Sequence, residues 1–199
     1  MRGFTEQEKA TIHLQLLEKG RELFSSLGLK KTSIKDLTEG VGIAQGSFYL
    51  FFQSKEELYF RILEAEEEAI KESLLNYLSA SMTVEDIKVF LIKGIQLIKE
   101  NSLIQRLYFE GEYEKMVRKL PKEIVEAHIQ QDNDLLEPLL EHWGIQKKEN
   151  RLVISGAIRA YFTMSIHEKE IGKEQYNQVL EFMAEAIAVQ LIKEKELEK

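Results

Sequence analysis

"GSFYLFFQSKEELYF", residues 46–60, places six aromatic side chains in fifteen residues: Phe48, Tyr49, Phe51, Phe52, Tyr59 and Phe60. A buried hydrophobic helix neither opens on Gly46-Ser47 nor breaks at Gln53-Ser54, so the stretch reads as two pieces. Rings at 48, 51 and 52 recur at i, i+3 and i+4, which is one face of a short helix. Ser54, followed three residues later by Glu57, is the capping box that opens a second helix.

The same punctuation runs outward from this stretch. Upstream, "LKKTSIKDL" offers Ser33 as an N-cap with Asp36 three residues on, for a short helix over 34–41 that ends near Gly40 and Gly42. A first helix starts at the Thr5–Glu8 box, carries a stripe at Ile12, Leu16, Gly20, Leu23, Phe24 and Leu27, and stops at Gly28. Downstream, the helix opened by Ser54 continues through Leu58, Ile62, Ala65, Ala69 and Leu74 to about residue 78. Five amphipathic helices then follow, over 83–99, 103–120, 122–143, 148–171 and 173–199, with Pro138 expected to kink the third of them or end it early. The expectation is an all-α chain of about nine helices.

Composition narrows the chemistry. The 199 residues include no cysteine, which removes disulfides, a thiol nucleophile and Cys-ligated metals. The start "MRGFTEQEKA" has no apolar signal core, and no run approaches the ~20 apolar residues that span a bilayer. A cytoplasmic protein with no membrane partner is expected. Three residues before His13, His128, His142 and His167 stand Ala10, Val125, Leu139 and Met164, so the Glu-x-x-His of di-iron helical enzymes is missing. No phosphate-binding glycine loop or nucleophile elbow occurs either. No enzyme, metal or cofactor is expected. The formal net charge of −7 is uneven: residues 1–62 hold nine Lys/Arg and eight Asp/Glu, residues 63–199 eighteen and twenty-six. A near-neutral head on an acidic body fits a molecule with one DNA-facing end, and fits many others.

Two short helices across a glycine-containing turn, braced by longer ones, make a helix-turn-helix, whose second helix enters the DNA major groove leading with its first residues. That geometry explains the residue order. Gln45, Gly46 and Ser47 stand at the leading end, where small or hydrogen-bonding side chains let the backbone approach base edges. Tyr49 points away from the ring face and its hydroxyl suits a phosphate oxygen; Lys55 brings charge to a helix N-terminus, also a phosphate setting. Pattern alone leaves a purely structural helix-turn open.

The segment "GRELFSSLGLKKTSIKDLTEGVGIAQGSFYLFFQSKEELYFRIL", residues 20–63, resembles the N-terminal DNA-binding domain of TetR-family transcriptional regulators. The matching positions are Leu23-Phe24, Gly28, Thr32-Ser33, Gly42-Ile43, Gly46-Ser47-Phe48-Tyr49, Phe52, and Lys55-Glu56 with Leu58. The resemblance implies phosphate contacts from Thr32, Ser33, Tyr49 and Lys55, and base contacts from Gln45 and Ser47. Three positions depart from the family pattern. Ala44 replaces a capping Ser, Thr38 a small Ala, and Phe51 a Tyr or His.

The resemblance further implies a ligand-responsive repressor of double-stranded operator DNA, with residues 1–53 as the DNA-binding domain and 54–199 as the effector-binding and dimerisation domain. A short recognition helix reads few base pairs, so a homodimer with heads ~34–36 Å apart on a palindrome is expected. Small residues Gly156 and Ala160, with the stripe Val179, Met183 and Ile187, are the candidate dimer interface. Tyr108, Tyr113, His128 and Trp143 each join a ring to a polar handle and are the candidate contacts for a small-molecule effector. The alternative is a helical ligand-binding or interaction module of the same fold that does not bind DNA.

Overall fold

The computed structural model describes residues 4–77, 83–109 and 112–197. Among these residues there is no strand. The helices are α1 (Glu6–Lys31), α2 (Ile34–Val41), a 3-10 helix (Gln45–Leu50), α3 (Lys55–Leu75), α4 (Val84–Glu100), α5 (Ser102–Phe109), α6 (Tyr113–Val117), α7 (Lys122–His142), α8 (Lys148–Ser165), α9 (Glu168–Ile171) and α10 (Tyr176–Leu197). The all-α expectation holds. Among the described residues eleven helices replace the expected nine, because two of those are each divided: 103–120 into α5 and α6, and 148–171 into α8 and α9. α8 closes at Ile166, whose N–H turns back to the Thr163 and Met164 carbonyls, while the Tyr176 hydroxyl takes the Ser165 carbonyl. α7 continues past Pro138 to His142.

Helix starts follow local chemistry. Thr5 with Glu8, Ser33 with Asp36, and Thr83 with Asp86 each form a reciprocal box, the hydroxyl accepting from one backbone N–H and the carboxylate from another. At α3 the arrangement is shifted: Ser54 Oγ accepts from the Glu57 N–H, but the Glu57 carboxylate takes the N–H of Gln53.

The described residues divide into two compact units, one from residues up to Ala69 with Glu100–Pro121, the other from Ile70–Lys99 with Lys122 onward. In the first, Leu16, Phe24, Leu37, Phe48, Leu58, Tyr59 and Ile62 are fully buried. Phe24 meets Tyr59 edge-on at 4.8 Å, and the Tyr59 hydroxyl donates to the Leu103 carbonyl at 3.1 Å. The second unit has its own core around Ile87, Leu91, Leu140, Trp143, Ile145 and Tyr161. Each core satisfies its aromatic hydroxyls internally; Tyr161, for example, donates to the Leu180 carbonyl at 3.2 Å, and burial pushes its phenol well above the ordinary range.

Candidate nucleic-acid interface

Gly28 leaves helical geometry at φ 79°, ψ 169°, a region that side chains with a Cβ avoid. One more turn follows and ends on Thr32. The Thr32 side chain is buried and its hydroxyl donates to the Gly28 carbonyl at 2.9 Å. The Thr32 hydroxyl, expected at a phosphate, is turned inward here and fastens the end of α1. Ser33 beside it is exposed and opens α2. The Ser33 hydroxyl, and after it the Ser33 amide, hold the Asp36 carboxyl below the usual carboxylate range. α2 ends on Gly42, left-handed at φ 78°.

The second short helix of the helix-turn-helix is a 3-10 helix, Gln45–Leu50. Ala44 supplies no side-chain cap, and the chain closes with i→i+3 bonds, Ser47 N–H to the Ala44 carbonyl at 2.8 Å and Phe51 N–H to the Phe48 carbonyl at 2.9 Å. Its aromatic back is as the spacing predicts. Phe48 and Phe52 are buried with ring centroids 5.9 Å apart, and the His13 ring stacks on Phe52 at 4.9 Å. Phe51, half-buried, lies 6.2 Å from Phe4. Gln45 and Gly46 are exposed, Ser47 is half-exposed, and Tyr49 is 60% exposed.

Beside them Leu50 is 67% exposed, a residue that the sequence reading passed over. The signal was the three-residue repeat of a 3-10 helix, which aligns 44, 47 and 50.

Lys55 is half-buried, and its ammonium donates to the carbonyls of Leu29 and Thr32, both at 2.7 Å. It thus caps the end of α1, with a third N–H remaining in its inventory. Glu56 next to it is buried and pairs with Lys119 at 2.7 Å. Lys30 and Lys31 stand exposed in the last turn of α1, where the helix dipole favours cations.

The candidate effector residues fall in both units. Tyr113 is half-buried at the start of α6 in the first unit, and the side chain of Tyr108 lies outside the described residues. His128 and Trp143 are buried in the second unit, where Trp143 packs edge-on against Phe90 at 5.5 Å. Among the described residues no group of three His, Asp or Glu could hold a metal, and no helix is long and apolar enough to cross a membrane.

The candidate dimer residues sort by face. Gly156 is half-buried with open space around it, Ala160 is exposed and Val179 half-buried. Met183 and Ile187 instead pack against the core of their own unit. Large apolar side chains that face outward on these two helices are Leu152 and Val153 on α8 and Phe182 and Leu197 on α10, at 63%, 73%, 74% and 73% exposed. The 179/182 spacing on α10 would have found Phe182.

Residues 16–62 match the family model described as bacterial regulatory proteins, tetR family. The uncharacterised HTH-type transcriptional regulator YfiR of Bacillus subtilis is 35% identical over 60 residues, 30% of this chain and 29% of that protein. The HTH-type transcriptional repressor KstR2 of Mycobacterium tuberculosis is 41% identical over 49 residues, 25% of this chain and 24% of its own. The chain thus spans under a third of the length of these curated relatives. Over nearly full length it shares the fold of RolR, solved in complex with resorcinol, at TM-score 0.59 and 18% identity, covering 96% of this chain and 95% of that one. Residues 16–62 are thus matched by sequence to the tetR family of bacterial regulatory proteins, and the nearly full-length chain shares the fold of RolR.

Proposed function

We propose that this chain is a DNA-binding transcriptional regulator, a ligand-responsive repressor that binds a palindromic operator as a homodimer in the cytoplasm and is released by a small-molecule effector. The observation that carries this reading is the accessible edge of the 3-10 helix, Gln45, Gly46, Ser47 and Tyr49, set on a buried aromatic back directly after a fully capped α2. Gln45 and Ser47 hydrogen-bond base edges, and Gly46 admits the backbone to the groove. Ser33, Tyr49 and the remaining N–H of Lys55 contact phosphate, while Thr32 supports them from within. On this reading residues 1–53 bind DNA and 54–199 bind the effector and dimerise. The repressor name of KstR2 supports the direction of control.

Dimerisation uses the outward face of α8 and α10: Gly156, Ala160 and Val179 together with Leu152, Val153 and Phe182, with Met183 and Ile187 one layer behind. Three large apolar side chains left this exposed in the single chain are what such an interface would cover. Phe182→Glu should convert a dimer to a monomer in analytical ultracentrifugation. An unchanged dimer would move the interface elsewhere.

The effector reading rests on Tyr108, Tyr113, His128 and Trp143 and is supported by RolR, a protein of this fold solved with resorcinol. Effector binding is proposed to shift α3, the helix that carries Lys55 at one end and crosses between the two compact units at Ala69–Ile70.

The test is to incubate the full chain with fragmented DNA of its own genome at moderate salt and sequence what it retains, beside a Gln45→Ala, Tyr49→Ala double variant. A palindromic site lost in the variant supports the regulator. No enrichment by a folded dimer overturns it in favour of the second reading, a helical ligand-binding module that does not bind DNA. That reading draws on the reading element having no side-chain cap at Ala44.

A further inference from the structure

The break in α1 frees backbone groups, and two side chains from elsewhere in the chain take them up. In an unbroken helix the Leu29 N–H would bond to the Ser25 carbonyl, and the Lys30 N–H to that of Ser26. Gly28 removes this register. The Leu29 N–H donates instead to Glu112 Oε2 at 3.1 Å. The Ser25 carbonyl accepts from Arg106 Nε at 2.9 Å and the Ser26 carbonyl from Arg106 Nη2 at 3.0 Å. Both halves of the broken Ser25–Leu29 pair are thus satisfied, one by a cation and one by an anion, through charge-assisted bonds. Leu29 is buried, so its N–H has little recourse to water.

Just beyond, Lys55 holds the Leu29 and Thr32 carbonyls. The whole arrangement lies in the first compact unit. It stands at the pivot from which Thr32 and Ser33 lead into α2 and the reading element.

We propose that Arg106 and Glu112 are positioning residues of the DNA-reading head. Neither contacts DNA; they hold the α1 break in its bent form and so set the direction in which α2 and the 3-10 helix leave it. This rests on the DNA-binding reading above. α5 and the start of α6, which bring the two side chains, are joined by the chain to α4 on one side and α7 on the other. A change in either helix has a covalent route to the break.

The test uses the full chain as wild type, Glu112→Ala, Glu112→Gln and Arg106→Met, against a duplex that the wild type retains from its genome. Affinity is measured at several salt concentrations, with amide hydrogen exchange at Leu29 in parallel. Glu112→Ala and Arg106→Met should each weaken binding about tenfold, as expected for loss of charge-assisted bonds. The salt dependence should keep its slope, because no phosphate contact is removed. Glu112→Gln, whose amide oxygen still accepts from Leu29, should bind within about threefold of wild type and keep slow exchange there.

Unchanged affinity in both Glu112→Ala and Arg106→Met overturns the proposal. So does a flatter salt slope, which would make Arg106 a phosphate ligand. If Glu112→Ala does not fold, the contrast of Arg106→Met with Glu112→Gln decides alone. A wild type that retains no DNA defeats the regulator reading and leaves the clamp to be judged by Leu29 exchange. Exchange no faster in Glu112→Ala than in wild type then overturns it, and faster exchange keeps it.

Discussion

Five positions apart, α1 breaks at Gly28 and α2 begins at Ser33, and the two events are secured in opposite ways. The start of α2 is settled between Ser33 and Asp36, three residues apart, with each side chain taking one backbone N–H of the other. The break in α1 is settled by Lys55, Arg106 and Glu112, which stand 26, 81 and 83 positions from the groups they bond. A local cap travels with its helix and holds whatever the rest of the molecule does. A break dressed by distant side chains holds only while those side chains are in place. The first is a fixed hinge-pin; the second can be coupled to events elsewhere.

Substitutions at the two ends measure that difference. The largest effect is expected from Gly28→Ala. Its Cβ would sit 3.1 Å from Glu112 Oε1 and 3.3 Å from Arg106 Nη1, on a backbone at φ 79°. A loss of about 1–3 kcal/mol in urea unfolding is expected from the backbone alone. A loss no greater than that of Ser33→Ala would break the comparison, since the clamp would then tolerate what the geometry forbids.

Ser33→Ala removes a local cap and should cost about 1 kcal/mol by the same measurement, with Ser33→Gly costing only a few tenths. If Ser33→Ala also speeds amide exchange at Leu29, the two ends are not independent.

Asp36 gives a smaller effect and a direction in pH. Its carboxyl is held below the ordinary range by the Ser33 hydroxyl and amide, so the folded pKa lies under the unfolded one. The stability this contributes is present above the unfolded pKa and is lost as pH falls through the folded value. Asp36→Asn should therefore reduce stability at neutral pH and flatten its decline across roughly pH 5 to 2. An acid limb identical to wild type would mean that other carboxylates carry it.

Gly46→Ala should be nearly silent in unfolding, within about 0.5 kcal/mol. Its φ is not in the left-handed region and no atom lies within 4 Å of the added Cβ. The same variant should weaken DNA binding if the backbone at 46 approaches the groove. Two glycines eighteen positions apart would then separate a fold requirement from a binding requirement.

Much of the head was legible because its signals are short. The boxes at Thr5 and Ser33 and the ring face at 48 and 52 are decided within three or four residues, and each stands where the spacing predicts. Local spacing does not decide between two neighbours that suit the same side chain. Thr32 and Lys55 have polar groups suited to a phosphate, and the carbonyls of Gly28, Leu29 and Thr32 suit them as well. On α10 the stripe Val179, Met183 and Ile187 is one apolar surface in sequence. Met183 and Ile187 turn to their own core, while Phe182 faces out.

The sequence by itself determined that the described residues are all-helical, the starts of most of their helices and the helix-turn-helix at 34–51, because caps, glycine stops and apolar repeats act over a single helical turn. Only the tertiary structure decided that the reading element is a 3-10 helix and that Thr32 and Lys55 fasten the end of α1. It also decided that Arg106 and Glu112 complete the break at Gly28. Those outcomes depend on which buried backbone groups lack a helical partner and which distant side chains the packing brings to them, and neither is written in local spacing.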